Sequence, residues 1–408
     1  VLNILGVEDF GIYNVVGGIV AMFGFINGSM TSATQRYLTF ELGQNNRAQL
    51  TKVFSTSLSI HGIISFLIIV LAETVGLWFL WNKMQIPADR MNAAFWVFQC
   101  SVAASVIMIM SVPYNAAIIA HERMSAFAYI SIIEVSLKLL IVCFLRYFHT
   151  DKLILYAALI VIVQFLIRLC YSWYCNRHFN ETKYRWSWDK GLFKEMTGFA
   201  SWNMFGSLAA ITFTQGLNLL LNMFFGPVVN AARGIAVQAQ TAIGQFSSNF
   251  QTALNPQITK SYATGDMEYM HGLIFRSAKF SFFLLLLLSL PVLIETKAIL
   301  TLWLKIVPDH TVVFLRIMLC TTWVYAVSNP LITAASATGK IKLYQSVVGG
   351  LLLLILPISY LCLRFGLPAY SVFIVHLVIE ITAQFARLLM LKRMIKLSLR
   401  EYFSKVVW

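Results

Sequence analysis

The chain has 408 residues, of which 59% are hydrophobic and 12% are charged, and its mean hydropathy is +0.73. Soluble domains carry about 25% charged residues, so this composition excludes a water-soluble globular protein and predicts an all-α polytopic membrane protein. The net charge of +14 is explained by basic cytoplasmic loops and their attraction to anionic membrane lipids, and it does not indicate nucleic-acid binding.

Eleven apolar segments reach the roughly 20 residues that a helix needs to cross the hydrocarbon core. In chain order they are 10–34, 53–80, 93–119, 125–147, 153–176, 193–222, 227–258, 273–295, 311–338, 343–363 and 368–390. The longest polar break, Asn176 to Lys194, leaves five segments before it and six after it.

This pattern predicts four regions: an N-terminal lobe over 1–176, a cytoplasmic linker over 177–192, a C-terminal lobe over 193–390 and a basic tail over 391–408. In the tail, Leu391, Ile395 and Leu399 are separated from the basic residues, which predicts an amphipathic helix on the inner leaflet. A solvated extension of the last span is the alternative.

The basic residues alternate by side of the membrane. Of the 31 Lys and Arg residues, 21 fall in one set of alternate loops and helix ends and seven in the opposite set. Because Lys and Arg are retained in cytoplasmic loops, the C-terminus is predicted to be cytoplasmic and Val1 to lie outside.

A weak internal repeat relates residues that are 220 positions apart. Four identities carry it: Gly6 with Gly226, Gly24 with Gly244, Ala33 with Ala253 and Thr39 with Thr259. The paired stretches also share a polar inner end and a hydrophilic break, at Asn45-Asn46 and at Gly265-Asp266. The repeat predicts a twelve-helix protein with two six-helix lobes, of which this chain lacks the first helix, and parallel repeats.

Three cations, Lys138, Arg233 and Arg316, lie inside predicted spans. A charge at such depth costs about 2.5–3.5 kcal/mol, so we expect it to line a polar cavity that accepts an anionic cargo. The planar guanidinium of Arg is suited to the paired oxygens of a phosphate.

Arg233 is the main candidate, with Asn230, Gln238 and Gln240 adding polar groups nearby. Its alternatives are snorkelling to the headgroups or a clamp on a neighbouring helix. Lys138 follows Glu134 by one turn, so the two form either a self-satisfied pair or a proton- or ion-sensitive pair that releases Lys138 to the cargo when Glu134 is protonated. Arg316 is shallow enough to snorkel.

A second polar stripe in the last span contains Glu380 with His376, Gln384 and Arg387. It is either an inter-helix network or a coupling-ion site. Other polar side chains that could line a cavity or act as packing contacts are Gln215, Asn203, Gln35 and Arg36.

Sites for other chemistry are not predicted. The six cysteines lie in apolar helices without metal-ligand spacing, and the seven histidines are scattered, so we expect no metal. The chain has no Walker-type loop. It is therefore predicted not to be an ATP-driven pump. The chain is also predicted not to be an enzyme and to need no cofactor.

Two stretches carry a family resemblance. The run Leu5-Gly6-Val7-Glu8-Asp9-Phe10-Gly11-Ile12-Tyr13 resembles the entry to the second helix of polysaccharide flippases in the multidrug/oligosaccharidyl-lipid/polysaccharide exporter superfamily. Parts of 215–263, including Asn230-Ala231-Ala232-Arg233-Gly234 and Asn255-Pro256-Gln257, resemble the seventh and eighth helices of its bacterial polysaccharide-biosynthesis members. The missing first helix departs from that pattern.

The resemblance implies two helical lobes around a central cavity, alternating access and an undecaprenyl-diphosphate-linked oligosaccharide as cargo, in the bacterial cytoplasmic (inner) membrane. Other polysaccharide-assembly proteins are further candidate partners. Two rival functions are a multidrug cation antiporter of the same superfamily, which would require buried carboxylates, and a membrane glycosyltransferase or polysaccharide polymerase, which would require a catalytic outer loop.

Overall fold

The computed structural model describes residues 2–21, 24–84, 86–145, 151–183, 189–305 and 307–407. No β-strand occurs in these ranges, in agreement with the predicted all-α fold. The α-helices are α1 (Leu2–Ala21), α2 (Gly24–Gly43), α3 (Arg47–Leu71), α4 (Leu77–Asn82), α5 (Met91–Ala120), α6 (Met124–Phe144), α7 (Lys152–His178), α8 (Lys190–Thr264), α9 (Met267–Ile294), α10 (Thr296–Leu304), α11 (Thr311–Ala337), α12 (Lys342–Leu353), α13 (Ile355–Arg364), α14 (Ser371–Met394) and α15 (Leu399–Tyr402).

Nine stretches of the described residues have the length and hydropathy of a membrane span, as expected for a multi-pass membrane protein. One of them, α8, has 75 residues, far more than one bilayer crossing needs. It covers two predicted spans, 193–222 and 227–258. The predicted first span includes residues 22–23, which lie outside the described ranges, so the total of eleven spans stays a prediction.

The chain divides into two compact units, Val1–Ala200 and Ser201–Trp408. In the first unit, α5 packs against α1, α2, α3 and α7, with Val97 and Phe98 fully buried in its core. In the second unit, α11 packs against α9 and α14, with Phe314 and Leu315 fully buried. The boundary between the units falls inside α8, after the predicted linker, of which residues 184–188 lie outside the described ranges.

Gly226 interrupts α8, with φ 78° and ψ −173°. This region of backbone space is essentially restricted to glycine. Pro227 follows, and proline is well suited to the first position of a new helix. Gly6 adopts nearly the same conformation within α1, with φ 84° and ψ 171°. The two glycines that are paired in the sequence repeat therefore share one backbone conformation.

Helix boundaries repeat with the same offset of 220 residues. α3 begins at Arg47 and α9 at Met267, while α5 begins at Met91 and α11 at Thr311. The breaks before α3 and α9 also correspond, because Asn45 and Gly265 both have positive φ, 57° and 79°. The helices that follow have matching caps: Asn46 accepts a hydrogen bond from the backbone N–H of Gln49, and Asp266 accepts one from that of Tyr269. The central helices α5 and α11 are therefore equivalent members of the repeat.

The C-terminal tail is not the single amphipathic helix expected over 391–408. α14 ends at Met394, Lys396 has φ 54°, and the short α15 follows. Ile395, Leu397 and Tyr402 are almost completely buried, and their core cluster includes residues of α9 and α14. The apolar face of the tail is thus covered by protein.

Candidate functional site

The second unit contains a cavity of about 380 Å³. Its walls come from α8, α9, α11, α12 and α14, and most of its polar lining consists of amides and hydroxyls. The polar and charged lining residues are Gln240, Thr241, Gln245, Ser247, Ser248, Gln251, Thr321, Thr322, Tyr325, His376, Glu380 and Arg387. The polar groups of the lining are therefore mainly neutral hydrogen-bonding groups, while most of the cavity surface is apolar.

The two charged residues at this cavity neutralise each other. Arg387 Nη1 lies 2.8 Å from Glu380 Oε1, and their side chains are only 3% and 5% exposed. Arg387 also donates hydrogen bonds to the Tyr344 hydroxyl and to Ser328 Oγ, both at 3.2 Å. This arrangement corresponds to the inter-helix network expected for the polar stripe, because it ties α14 to α11 and α12.

The network continues to the tail. Ser328 Oγ donates to Gln384 Oε1 at 2.6 Å, and Gln384 Nε2 donates to the Tyr402 hydroxyl at 3.0 Å. Tyr402 is 1% exposed. A continuous chain of hydrogen bonds therefore joins the charged pair at the cavity to α15.

The sequence prediction named Gln240 but missed the other residues of α8 that line this cavity. Gln240 Nε2 donates to Thr322 Oγ1 at 2.7 Å and to the Met318 carbonyl at 3.1 Å. Gln251 Nε2 donates to the Ala326 carbonyl at 2.7 Å. A signal was present, because Gln240, Gly244, Ser247 and Gln251 are spaced as residues on one helical face.

Arg233 is buried, with 6% of its surface exposed. Its Nη1 donates to Asn218 Oδ1, and its Nη2 donates to the Thr214 carbonyl at 3.0 Å. These partners lie on the other side of the Gly226 kink. The structure thus places Arg233 as a clamp between the two halves of α8, which is the second of its predicted alternatives.

The other candidates near Arg233 are dispersed. Gln215 is exposed and accepts a hydrogen bond from Asn218 Nδ2 at 3.0 Å. Asn230 Oδ1 is buried without a hydrogen-bond partner among the described residues, and Gln238 is exposed. Arg233 and these three candidates, Gln215, Asn230 and Gln238, all lie outside the lining of the 380 Å³ cavity.

Lys138 and Glu134 pair within α6 of the first unit. Lys138 Nζ lies 2.5 Å from Glu134 Oε1, and the same oxygen accepts a bond from Gln164 Nε2 of α7 at 3.3 Å. The side chains are 41% and 27% exposed. This geometry is the self-satisfied pair, extended to a second helix.

Arg316 stabilises a helix junction. It is exposed, and its Nε donates to Thr296 Oγ1 at 3.1 Å while its Nη2 donates to the Ile294 carbonyl at 3.3 Å. These groups lie where α9 ends and α10 begins. Because α9 leaves unpaired carbonyls at its C-terminus, a cation there is favourable.

The remaining polar candidates make packing contacts. Asn203 Oδ1 accepts a bond from Gln345 Nε2 at 2.9 Å. The Arg36 guanidinium lies over the rings of Tyr37 and Phe40, at 4.5 and 4.9 Å, and Gln35 is partly buried.

A charged cluster outside the spans holds the end of α5. His121 Nε2 lies 2.5 Å from Glu181 Oε1, and the His121 ring stacks on Phe179 at 3.9 Å. Burial acts to raise the pKa of Glu181, but the hydrogen bond from His121 and nearby positive charge outweigh it, so the pKa is lowered. The carboxylate form of Glu181 is therefore stabilised by the fold.

The comparisons with known proteins address the family and the fold. The family model described as polysaccharide biosynthesis protein matches residues 1–262. The chain belongs to the polysaccharide biosynthesis protein family. This confirms the resemblance inferred from residues 5–13 and 215–263. The search of curated proteins finds no significant match to this chain.

Solved structures show a shared transporter fold. An outward-facing multidrug resistance MATE family transporter of the MOP superfamily aligns with a TM-score of 0.82 and 13% identity, over 96% of this chain and 89% of that chain. A MATE structure in the straight conformation aligns with a TM-score of 0.80 and 13% identity, over 96% and 94%.

A MOP superfamily transporter from Pyrococcus furiosus, described by a reverse polarity of its binding pocket that suggests a different function, aligns with a TM-score of 0.75 and 12% identity, over 96% of this chain and 93% of that chain. At these identities the likeness shows the fold. Family and fold together support a membrane exporter or flippase.

The described residues contain no group of three or more His, Cys, Asp or Glu side chains that could hold a metal ion.

Proposed function

We propose that this family member is a flippase that moves an anionic lipid-diphosphate-linked oligosaccharide across the bacterial cytoplasmic membrane by alternating access. Membership of a polysaccharide biosynthesis family and a MOP-type transporter fold support a saccharide-related transport role. The proposal includes an undecaprenyl-diphosphate carrier lipid, a cytoplasmic C-terminus and no enzymatic activity of the chain itself.

The observation that carries the choice of cargo is the charge state of the cavity in the second unit. Glu380 is the one carboxylate among its lining residues, and Arg387 neutralises it at 2.8 Å. An organic cation that enters an apolar site needs an unpaired anion, because an uncompensated buried charge is costly. This cavity favours a cargo without positive charge over the cargo of a cation antiporter.

The same pair argues against a glycosyltransferase or polymerase. A general acid or base must reach the reacting group in a suitable protonation state, whereas Glu380 is held by Arg387 and buried. The contacts of Glu380 are those of a residue that holds helices together.

The contacts of Arg233 support a positioning role. Its terminal nitrogens are bonded to Asn218 and Thr214, and its Nε is buried, which supports a role in holding the kink in α8. Lys138 and Arg316 are likewise bonded to protein groups. Recognition of the diphosphate by these cations therefore stays a prediction that their contacts do not favour.

The test is reconstitution of the purified chain in liposomes that contain a polyprenyl-diphosphate-linked oligosaccharide. We expect the glycan to become accessible to an external lectin, at a rate above that of protein-free liposomes, while a fluorescent organic cation is not moved. Movement of the cation without the glycan would favour the antiporter. A change in the mass of the glycan would show an enzyme.

A cellular experiment identifies the cargo. Deletion of the gene should cause one lipid-linked glycan to accumulate on the cytoplasmic side of the membrane, and its structure would give the sugar. Unchanged lipid-linked glycans in the deletion strain would contradict the proposal.

A further inference from the structure

We propose that the 380 Å³ cavity of the second unit is a subsite for a neutral, hydroxyl-bearing sugar ring of the cargo. The inference rests on the proposed flippase function and adds to it the part of the cargo that this cavity recognises. The volume lies within the range of about 300–1,000 Å³ that is usual for small-molecule sites.

The amide groups in the wall leave acceptors available. Because the Nε2 atoms of Gln240 and Gln251 donate to groups of α11, their carbonyl oxygens remain without a hydrogen bond among the described residues. Glu380 also uses only one of its two oxygens for Arg387. These acceptors can pair with a ligand that carries O–H or N–H donors.

Ser247 adds a hydroxyl that can donate or accept. It is 3% exposed, lines the cavity, and its Oγ has no partner among the described residues. Leaving a buried hydroxyl unpaired is unfavourable by about 1–3 kcal/mol, so a ligand group that completed this bond would be stabilised at the cavity wall.

The charge and the apolar walls favour a neutral ring over a phosphate. The Arg387 guanidinium is already bonded to Glu380, Tyr344 and Ser328, and the added charge of a phosphate would lie near the Glu380 carboxylate. Phe213 and Tyr325 also line the cavity. A sugar ring, with hydroxyls at its rim and C–H groups on its faces, matches this mixture of acceptors, hydroxyl and aromatic surface.

The test uses the full chain in nanodiscs, because sugar-headgroup detergents would compete. Saturation-transfer NMR is recorded with a panel of neutral methyl glycosides. We expect at least one glycoside to bind, and Ser247→Ala to weaken it by about three- to ten-fold, the range for one lost neutral hydrogen bond. Gln240→Met should weaken it as well.

The matched control is Ser281→Ala. Ser281 is also fully buried with an unpartnered hydroxyl, but it lies on α9 outside the cavity lining. Neither serine variant should lower the Tm, since neither removes a hydrogen bond within the described protein. Glycoside binding that Ser281→Ala leaves unchanged and Ser247→Ala weakens supports the subsite.

Three results would overturn the inference: no binding of any neutral glycoside, equal binding by wild type and both cavity variants, or binding of inorganic diphosphate at this site in place of the glycoside. The liposome assay distinguishes a failure of the subsite from a failure of the proposed flippase function. Glycan flipping without glycoside binding would refute only the subsite, whereas glycoside binding without glycan flipping would refute the flippase.

Discussion

Breaking the Glu380–Arg387 pair is expected to destabilise the second unit strongly. Glu380→Gln keeps the size and one hydrogen-bonding oxygen, but it leaves the Arg387 charge uncompensated where its side chain is 3% exposed. Removing one partner of a buried ion pair costs about 3–5 kcal/mol. The bonds of Arg387 to Tyr344 and Ser328 persist, so we expect the lower end of that range.

The assay is thermal unfolding of the purified protein in one fixed detergent. For a unit of about 200 residues, 1 kcal/mol shifts the Tm by about 2–4 °C, so Glu380→Gln should lower the Tm by about 6–12 °C. The matched control is Glu401→Gln, which breaks the exposed Glu401–Lys405 pair at 2.9 Å. Such a surface pair contributes about 0–1 kcal/mol, so its Tm should fall by at most a few degrees.

A double variant, Glu380→Gln with Arg387→Met, distinguishes the cause. If the loss comes from the uncompensated charge, removing the charge as well should recover part of the Tm. Equal Tm shifts for Glu380→Gln and Glu401→Gln would refute the reasoning, as would a double variant that is less stable than the sum of the single changes.

Three further predictions concern other parts of the molecule. Gly226→Ala should destabilise by about 1–3 kcal/mol, whereas Gly234→Ala should be neutral or stabilising by up to about 1 kcal/mol. A Cβ meets open space at both positions, so equal Tm values would contradict a backbone cause. The pKa of Glu181 is lowered from 4.5, so its contribution to stability is present above that pH and is lost as the pH falls below it. Thermal melts between pH 7 and acid should show this loss in wild type and not in Glu181→Gln; identical pH profiles would be evidence against the His121 contact as its source. Arg316→Met should lower stability by less than about 1 kcal/mol, because the side chain is exposed, and should leave glycan flipping intact. A stable variant that no longer flips the glycan would place Arg316 in the transport path.

The internal repeat is a feature for which the sequence predicted local backbone structure correctly. A Gly before a helix and an Asn-Asn or Gly-Asp break are local features, and local backbone requirements follow from them. Positions 6 and 226, and positions 45 and 265, accordingly have matching backbone conformations. The sequence also predicted a boundary between two spans at 222–227, and the kink of α8 at Gly226 lies in that interval.

The tail was predicted less well because its periodicity fits two environments. An apolar stripe can be covered by lipid or by protein, and the pattern is the same in both cases. Contacts with α9 and α14 bury Ile395, Leu397 and Tyr402, and the contacts with α9 are long-range in sequence.

The contacts of the candidate cations were also not predictable from the sequence. Depth and residue type identified Arg233, Lys138 and Arg316 as unusual, but they did not reveal which groups each would contact. Arg233 finds Thr214 and Asn218, which are 19 and 15 residues away in sequence.

By itself, the sequence determined a multi-pass helical membrane protein, its polysaccharide-biosynthesis family and the internal repeat, because hydropathy, helix breaks and motifs are properties of neighbouring residues. The tertiary structure decided that Glu380 and Arg387 neutralise each other at the cavity, that Gln240, Ser247 and Gln251 line it, and that Arg233 holds a kink. Whether a buried polar group serves a ligand or the fold depends on the partner that packing brings within hydrogen-bond distance, and only the folded chain supplies that partner.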